Sequence, residues 1–192
     1  MAPDPDAALM LAFQRGDAAA FRTLFERHAR AMVAFCHHFV RDAARAEELA
    51  QDVFVKLHQA ADRYRPSARF KTFLYRIASN HCLNELRSGE YGARRVEAEP
   101  PDPDALPSQA ATPEESARGA ALERAVGELL GRLPGKQRAA LVLCRLEGMS
   151  YEEIAEVLDT SVSAVKSLVH RATVAAADAL APFGAVEKEA VS

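Results

Sequence analysis

The run from Gly89 to Glu115 restricts the fold of this chain more than any other part of the sequence. It contains five of the ten prolines and shows no apolar periodicity. Proline removes a backbone donor and fixes φ, and an acidic stretch without apolar periodicity cannot bury a core. We therefore predict a flexible acidic linker here, which divides the 192 residues into two small domains.

Apolar residues recur at helical spacing on both sides of this linker. The upstream stripes predict three or four packed helices. Downstream, a stripe from Leu122 to Leu133 stops at Pro134, and periodicity resumes from Ala139 to Leu146 without any strand-like stretch. The sequence therefore predicts an all-α fold of two helical domains. The predicted bounds are 1–88 for the first domain, 89–115 for the linker, 116–183 for the second domain and 184–192 for a tail.

The net charge of −3 argues against a nucleic-acid partner only when it is averaged over the whole chain. Residues 1–88 hold 13 Lys and Arg against 10 Asp and Glu, a net charge of +3. Residues 89–118 carry −4 and residues 119–192 carry −2, so the acid is concentrated in the middle. A positive first domain can attract phosphates although the chain as a whole is acidic.

The sequence offers no signal for membrane insertion, secretion, metal binding or catalysis. No apolar run approaches the roughly 18 residues of a membrane span, and residues 1–6 are acidic rather than basic. The three cysteines are odd in number and lack zinc or disulfide spacing, which favours a reducing cytoplasm. No nucleophile and base pair or Gly-rich phosphate loop occurs, so we expect no enzyme activity and no cofactor. We also predict no metal site, because neighbouring helix positions point in different directions and zinc spacing is missing at Cys36, His37, His38, His81 and Cys82.

The best-defined local pattern lies towards the end of the second domain. Ser150 and Glu153 have the spacing of a capping box, which starts a helix. Asp159 can adopt the positive φ of a tight turn, and Ser161 can cap a second helix. This pattern indicates a helix-turn-helix, whose second helix enters the major groove of DNA, although a helical hairpin without a DNA role fits as well. The outward residues of the second helix are the candidate DNA readers Ser163, Lys166, Ser167, His170 and Arg171.

A basic and aromatic segment runs from Asp62 to Arg87. Six basic residues stand against two acidic ones, with aromatic residues between them. Basic groups follow a phosphate backbone and aromatic faces stack on unpaired bases, so the segment predicts binding of single-stranded DNA. Phe73 and Ile77 have helical spacing and are expected in the core, whereas Tyr64 is expected to be exposed in a loop.

Acidic and amide side chains share one face of a predicted helix upstream of this segment. Glu48, Gln51 and Asp52 are spaced i, i+3 and i+4. A solvated charged face accounts for this pattern, and a docking face for a basic protein partner is the alternative.

Taken together, these segments resemble a bacterial RNA polymerase sigma factor of the sigma-70 family, in the extracytoplasmic-function (ECF) group. Four motifs in one order carry the resemblance, which covers almost the whole chain. The motifs are residues 46–54 (AEELAQDVF), 70–80 (FKTFLYRIASN), 133–155 (LPGKQRAALVLCRLEGMSYEEIA) and 165–172 (VKSLVHRA).

The resemblance implies that the first domain binds the polymerase clamp and the minus-ten promoter element, and that the second binds the minus-thirty-five element and the polymerase flap. Promoter opening would then be the capture of a flipped base rather than catalysis. The residues implied for core polymerase binding are Glu48, Gln51, Asp52 and Phe54. Those implied for minus-ten DNA are Tyr64, Arg65, Arg69, Lys71, Tyr75, Arg76, Asn80 and Arg87. For minus-thirty-five DNA they are the five candidate readers named above.

The partners implied by the resemblance are core RNA polymerase, promoter DNA and an anti-sigma factor, in the cytoplasm or at the membrane through that anti-sigma factor. The chain departs from the family pattern at Leu168, Thr173 and Cys144, where arginines are common, which predicts weaker minus-thirty-five binding. Two alternatives stay open: an adaptor that mimics a sigma factor and sequesters an anti-sigma factor, and a stand-alone helix-turn-helix regulator. The adaptor would not require the basic aromatic segment, and the regulator would leave the Glu48 face without a purpose.

Overall fold

The computed structural model describes residues 4–66, 69–88 and 113–184, with side chains from residue 117 onward in the last range. Every regular element in these ranges is helical, which confirms the all-α prediction. The α-helices are α1 Pro5–Gln14, α2 Ala18–Val40, α3 Ala43–Gln59, α4 Phe70–Arg87, α5 Pro113–Arg132, α6 Gly135–Arg145, α7 Tyr151–Leu158 and α8 Val162–Leu180. Short 3₁₀ turns occupy Ala61–Arg63 and Ala181–Phe183. Residues 89–112 of the predicted linker lie outside the described residues, and residues 113–115 begin α5. Residues 185–192 of the predicted tail also lie outside the described residues.

Aspartates begin the first three helices. The side chains of Asp4, Asp17 and Asp42 accept hydrogen bonds from backbone amides in the first turns of α1, α2 and α3. Such a cap satisfies an amide that has no partner inside the helix and contributes about 0.5–2 kcal/mol. Helix α2 ends at Arg41, whose φ of 56° turns the chain towards α3.

The core of the first domain lies between α2, α3 and α4, and α1 packs on α2 and α4. Phe35, Leu49 and Leu74 are fully buried, one on each of the three central helices. Each contributes about 1.5–3 kcal/mol through burial of its apolar surface. Phe73 is 7% exposed and Ile77 packs against the same core, so the core positions predicted for both are confirmed.

Two cysteines that are distant in the sequence meet in this core. Cys36 on α2 and Cys82 on α4 are fully buried, and their Sγ atoms lie 3.7 Å apart. Both thiols are free. The hydrogen bond with Cys36, together with burial, raises the pKa of Cys82. Their sequence separation did not indicate this contact, because it depends on the packing of α2 on α4.

The second domain contains the predicted helix-turn-helix. Ser150 caps α7 in a capping box, Asp159 has a φ of 48° in the turn, and Ser161 caps α8. Ile154 of α7 and Val165 of α8 are fully buried, so the two helices share one core. The predicted starts of both helices and the turn between them are therefore confirmed.

The two domains pack directly on each other, with α6 and α7 against α4. Arg138 of α6 is 4% exposed, and its Nη1 donates to the carbonyl oxygen of Phe39 in the first domain at 2.8 Å. A Cβ atom at Gly135 would come within 2.9 Å of the Leu83 Cδ2 atom on α4. Helix α6 therefore approaches α4 closely at Gly135, where only the ends of leucine side chains lie within reach of a Cβ atom. We call this packing of the two domains the closed arrangement.

Candidate nucleic-acid interface

Polar side chains form an exposed stripe along α4. Arg76, Asn80 and Arg87 are exposed and spaced four and seven residues apart, so they lie on one face of the helix. The guanidinium carbon of Arg76 lies 5.4 Å from the centre of the Phe73 ring, which supports its side chain. Two cations and one amide on a helix face can contact the phosphates and base edges of a nucleic-acid strand.

Tyr64 lies below this surface, so the prediction that it is exposed is wrong. Its side chain is 1% exposed, and its ring centroid lies 6.2 Å from that of Phe70 and 5.2 Å from that of Phe73. Burial, and then the charge of Asp4, raises the pKa of the Tyr64 hydroxyl. Tyr64 is buried because it packs in this aromatic cluster, which anchors the loop to α4. The next residue, Arg65, is exposed.

The second domain engages Lys71 and Tyr75, two further residues predicted to contact minus-ten DNA. The Lys71 Nζ donates to the backbone carbonyl oxygen of Glu147 at 2.7 Å and lies 3.4 Å from its Oε2. The Tyr75 hydroxyl donates to the same carboxylate. Burial, followed by this hydrogen bond, raises the pKa of Tyr75. In the closed arrangement both the Lys71 and the Tyr75 side chains are therefore bonded to Glu147.

A second acidic residue of the same region faces the start of α4. The Glu153 Oε1 lies 3.3 Å from the Arg69 Nη1, while its other carboxylate oxygen completes the capping box of α7. The Arg69 side chain is 67% exposed, so this ion pair is screened by solvent and contributes little. Glu147 and Glu153 together make an acidic edge that covers the basic N-terminal part of α4.

The five candidate readers on α8 are exposed. The inward face of this helix carries Val165, Val169 and Ala172, all buried. Leu168 packs against that core, and the Thr173 Oγ1 is buried, so neither lies on the exposed face. The helix therefore presents Ser163, Lys166, Ser167, His170 and Arg171 to solvent on one side.

The face predicted for polymerase docking is exposed on α3 at Glu48, Gln51 and Asp52. The Asp52 Oδ2 lies 3.2 Å from the His81 Nε2 of α4, so this end of the face contacts the neighbouring helix. Glu48 pairs with Arg45, with 2.7 Å between Nη1 and Oε2.

An apolar border lies next to this acidic face. Phe54 is only 5% exposed, and its ring centroid lies 4.7 Å from that of Phe25 on α2, which is 41% exposed. Val55 is 54% exposed. The sequence analysis did not predict that Phe25 and Val55 are exposed, because exposure depends on which faces of α2 and α3 meet.

Two residues at the ends of α1, the N-cap Asp4 and the last residue Gln14, contact the loop before α4, and the sequence did not single them out. The Gln14 Nε2 donates to the carbonyl oxygens of Ala61 and Tyr64, and the Asp4 Oδ2 accepts from the Phe70 amide. The partners are between 47 and 66 residues apart in the sequence, so no local motif identifies these contacts.

Comparison with known proteins gives the same order of domains. The family model described as Sigma-70 region 2 matches residues 24–90, and that described as Sigma-70, region 4 matches residues 123–174. The RNA polymerase sigma-H factor of Pseudomonas aeruginosa is 33% identical over 185 residues, which cover 94% of this chain and 96% of the relative. The ECF RNA polymerase sigma-E factor of Escherichia coli K12 is 31% identical over 172 residues, which cover 87% and 90%.

Solved structures share the fold. CnrH in complex with the cytosolic domain of CnrY has a TM-score of 0.68 and 28% identity, covering 96% of this chain and all of that one. RpoE in complex with the anti-sigma factor NepR from Bartonella quintana has a TM-score of 0.64 and 22% identity, covering 84% of this chain and 96% of that one. This second similarity is one of fold alone. The chain therefore belongs to the sigma-70 family of RNA polymerase sigma factors, in the ECF group. Members of this family are transcription initiation factors.

Within the residues that the structure describes, no helix is long and apolar enough to cross a membrane. The same residues contain no group of three or more His, Cys, Asp and Glu side chains arranged to hold a metal ion.

Proposed function

We propose that this sigma factor reads the minus-thirty-five element with α8 and captures the melted minus-ten element with α4 and the loop before it. The observation that carries the proposal is the pair of exposed polar faces, one on α4 inside the region 2 match and one on α8 inside the region 4 match. The protein performs no bond chemistry, since promoter opening needs only binding energy.

Capture of the minus-ten strand is the step that opens the promoter. Taking a base out of the duplex costs a few kcal/mol, which phosphate contacts and a protein surface for the free base must offset. Arg76 and Arg87 suit the phosphates, and the Asn80 amide suits a base edge because it both donates and accepts hydrogen bonds. Arg65 and Arg69 extend the cationic surface into the loop.

The closed arrangement has to open before this surface is complete. Lys71 and Tyr75 are bonded to Glu147 in the loop between α6 and α7, and Arg69 is paired with Glu153 of α7, so this loop and the start of α7 face the basic end of α4. We infer that core polymerase separates the domains by binding each of them. A free sigma factor with covered minus-ten residues would bind promoters poorly, which agrees with the acidic net charge of the chain.

Core polymerase would dock on the acidic face of α3. Glu48, Gln51 and Asp52 suit a basic partner, and the exposed part of Phe25 supplies apolar contact beside them. An anti-sigma factor is the second proposed protein partner, because RpoE is solved with one. We propose that the protein acts in the cytoplasm with core polymerase, or is held at the membrane through the anti-sigma factor.

Transcription in vitro tests the proposal. The purified chain is mixed with bacterial core RNA polymerase and a genomic promoter library, and transcript starts are mapped. Asn80→Ala should reduce opening, and Arg171→Ala should reduce selection of the upstream element. Arg124→Ala is the matched control, because Arg124 is an exposed arginine on α5 that belongs to neither of the two proposed DNA-binding faces, and it should behave as wild type.

The mapped starts also decide between the proposal and the adaptor. Starts that depend on the chain and share two sequence elements support a sigma factor. A folded chain that gives no start at any salt concentration but binds an anti-sigma factor would be an adaptor. Starts that survive both Asn80→Ala and Arg171→Ala unchanged would contradict the residue assignments.

A further inference from the structure

Helix α1 holds the first part of the loop that precedes α4. The carboxamide of Gln14 donates from Nε2 to the carbonyl oxygen of Ala61 at 2.7 Å and to that of Tyr64 at 3.1 Å. An amide NH₂ group has two hydrogens, and both are used here on one segment of backbone. Gln14 therefore fixes the direction in which the chain leaves the 3₁₀ turn.

The other end of α1 holds the other end of the same loop. The Asp4 Oδ1 accepts from the Asp6 amide at 3.0 Å and caps α1, while its Oδ2 accepts from the Phe70 amide at 2.8 Å at the start of α4. The residue before α4, Arg69, provides no side-chain cap. One carboxylate therefore caps two helices and fixes where α4 begins.

Helix α1 is itself held firmly, so it can support the loop. The carboxylate of Asp6 contacts Arg27 Nη1 at 2.7 Å and His28 Nε2 at 2.8 Å on α2. The His28 ring lies 5.4 Å from the Phe70 ring, between centroids. Met10, in the middle of α1, is fully buried. The support therefore reaches from the core to both ends of the loop.

We propose that Asp4 and Gln14 are positioning residues that hold Arg65 and Arg69 where they meet the melted minus-ten strand. This inference rests on the proposed function. Both residues lie ahead of residues 24–90, which the region 2 family model matches. The physical reason is pre-organisation, because Arg65 and Arg69 adjoin backbone groups that are already fixed before DNA binds, so these two residues lose less conformational freedom on binding.

The test uses the holoenzyme formed with core polymerase and a promoter obtained from the start mapping. Gln14→Met keeps the length of the side chain and removes both donors. The affinity of the holoenzyme for a single-stranded oligonucleotide of the minus-ten non-template strand should fall about tenfold, as expected for two hydrogen bonds of ordinary net strength. The affinity for core polymerase should not change. Gln59→Met is the matched control, because Gln59 is exposed at the end of α3.

Salt dependence separates positioning from a general loss of folded protein. If Arg65 and Arg69 move away from phosphates, the slope of log K against log salt for the oligonucleotide becomes shallower by about 0.7 for each lost contact. A smaller folded fraction would lower the amount of complex without changing this slope. Asp4→Asn, which keeps only one acceptor oxygen, should give a smaller affinity loss of about threefold and the same change in slope.

Each outcome bears on a different statement. No specific starts with the wild-type chain would overturn the proposed function. Specific starts with wild type, together with unchanged affinity and salt slope for Gln14→Met, would overturn the positioning role alone. Thermal unfolding checks that each variant is folded. If Gln14→Met does not fold, Asp4→Asn decides, and an unchanged affinity and slope for it overturns the inference.

Discussion

Replacing Glu147 by Gln should loosen the closed arrangement. The Glu147 carboxylate accepts from the Tyr75 hydroxyl and lies 3.4 Å from the Lys71 Nζ. Glutamine keeps the size of the side chain and one acceptor oxygen for Tyr75, but it removes the charge. The substitution therefore changes the electrostatics of the contact between α4 and the second domain with little change in shape.

The expected magnitude follows from these two contacts. A hydrogen bond to a charged group contributes about 1.5–3 kcal/mol and a neutral one about 0.5–1.5 kcal/mol, so the bond from Tyr75 weakens by about 1 kcal/mol. The Lys71 side chain is 42% exposed, so solvent screening limits its ion pair to about 0–1 kcal/mol. Together these losses favour opening by about 1–2 kcal/mol, which is roughly a 5- to 30-fold shift in the equilibrium.

The assay measures binding of the single-stranded minus-ten oligonucleotide to the chain without core polymerase. Affinity for a ligand that needs the open form rises with the population of that form, so Glu147→Gln should bind about fivefold more tightly or better. The radius of gyration from X-ray scattering should rise as well.

Glu156→Gln is the control for this experiment, because it makes the same charge change at an exposed position on α7. Equal gains for the two variants would assign the effect to net charge rather than to the contact. Unchanged affinity and radius for Glu147→Gln would refute the reasoning.

Three further predictions concern the interior of the protein. The Ser79 Oγ is buried without a hydrogen-bond partner in the described residues, so Ser79→Ala should raise the free energy of unfolding in urea by about 1 kcal/mol, and a loss of stability would contradict this. Burial, then the charge of the neighbouring histidine, lowers the pKa of His38, so the folded state binds its proton less readily than the unfolded state. Stability should be fully present above the ordinary pKa of 6.5 and fall as pH drops below it, and His38→Gln should flatten this fall in a denaturation series. A thiol reagent should modify Cys144 first and reach Cys36 and Cys82 only on unfolding, and Cys144→Ser should remove the fast phase.

The helix-turn-helix could be predicted from the sequence because its determinants are local. The capping serines, the turn aspartate and the apolar spacing of α7 and α8 each depend on residues within one or two helical turns. The exposed face of α8 follows from the same periodicity. The stripe of Arg76, Asn80 and Arg87 is similar, since one helix alone decides which residues share a face.

The burial of Tyr64, in the loop before α4, could not be predicted in this way. A loop residue with basic neighbours suggested an exposed Tyr64, and the structure buries it against Phe70 and Phe73. The position of Tyr64 depends on Gln14, which is 50 residues away in the sequence and holds its carbonyl group. No pattern in either segment alone contains that information.

The sequence by itself therefore determined the helices, the exposed faces of α4 and α8 and the family of this protein, because periodicity, caps and motifs act over short distances along the chain. Only the tertiary structure decided which side chains of different helices contact each other. Lys71 and Tyr75 meet Glu147 more than 70 residues further along the chain, and the loop before α4 depends on both ends of α1. Contacts of this kind arise from the packing of whole helices, and side-chain spacing within one helix does not encode the position of another.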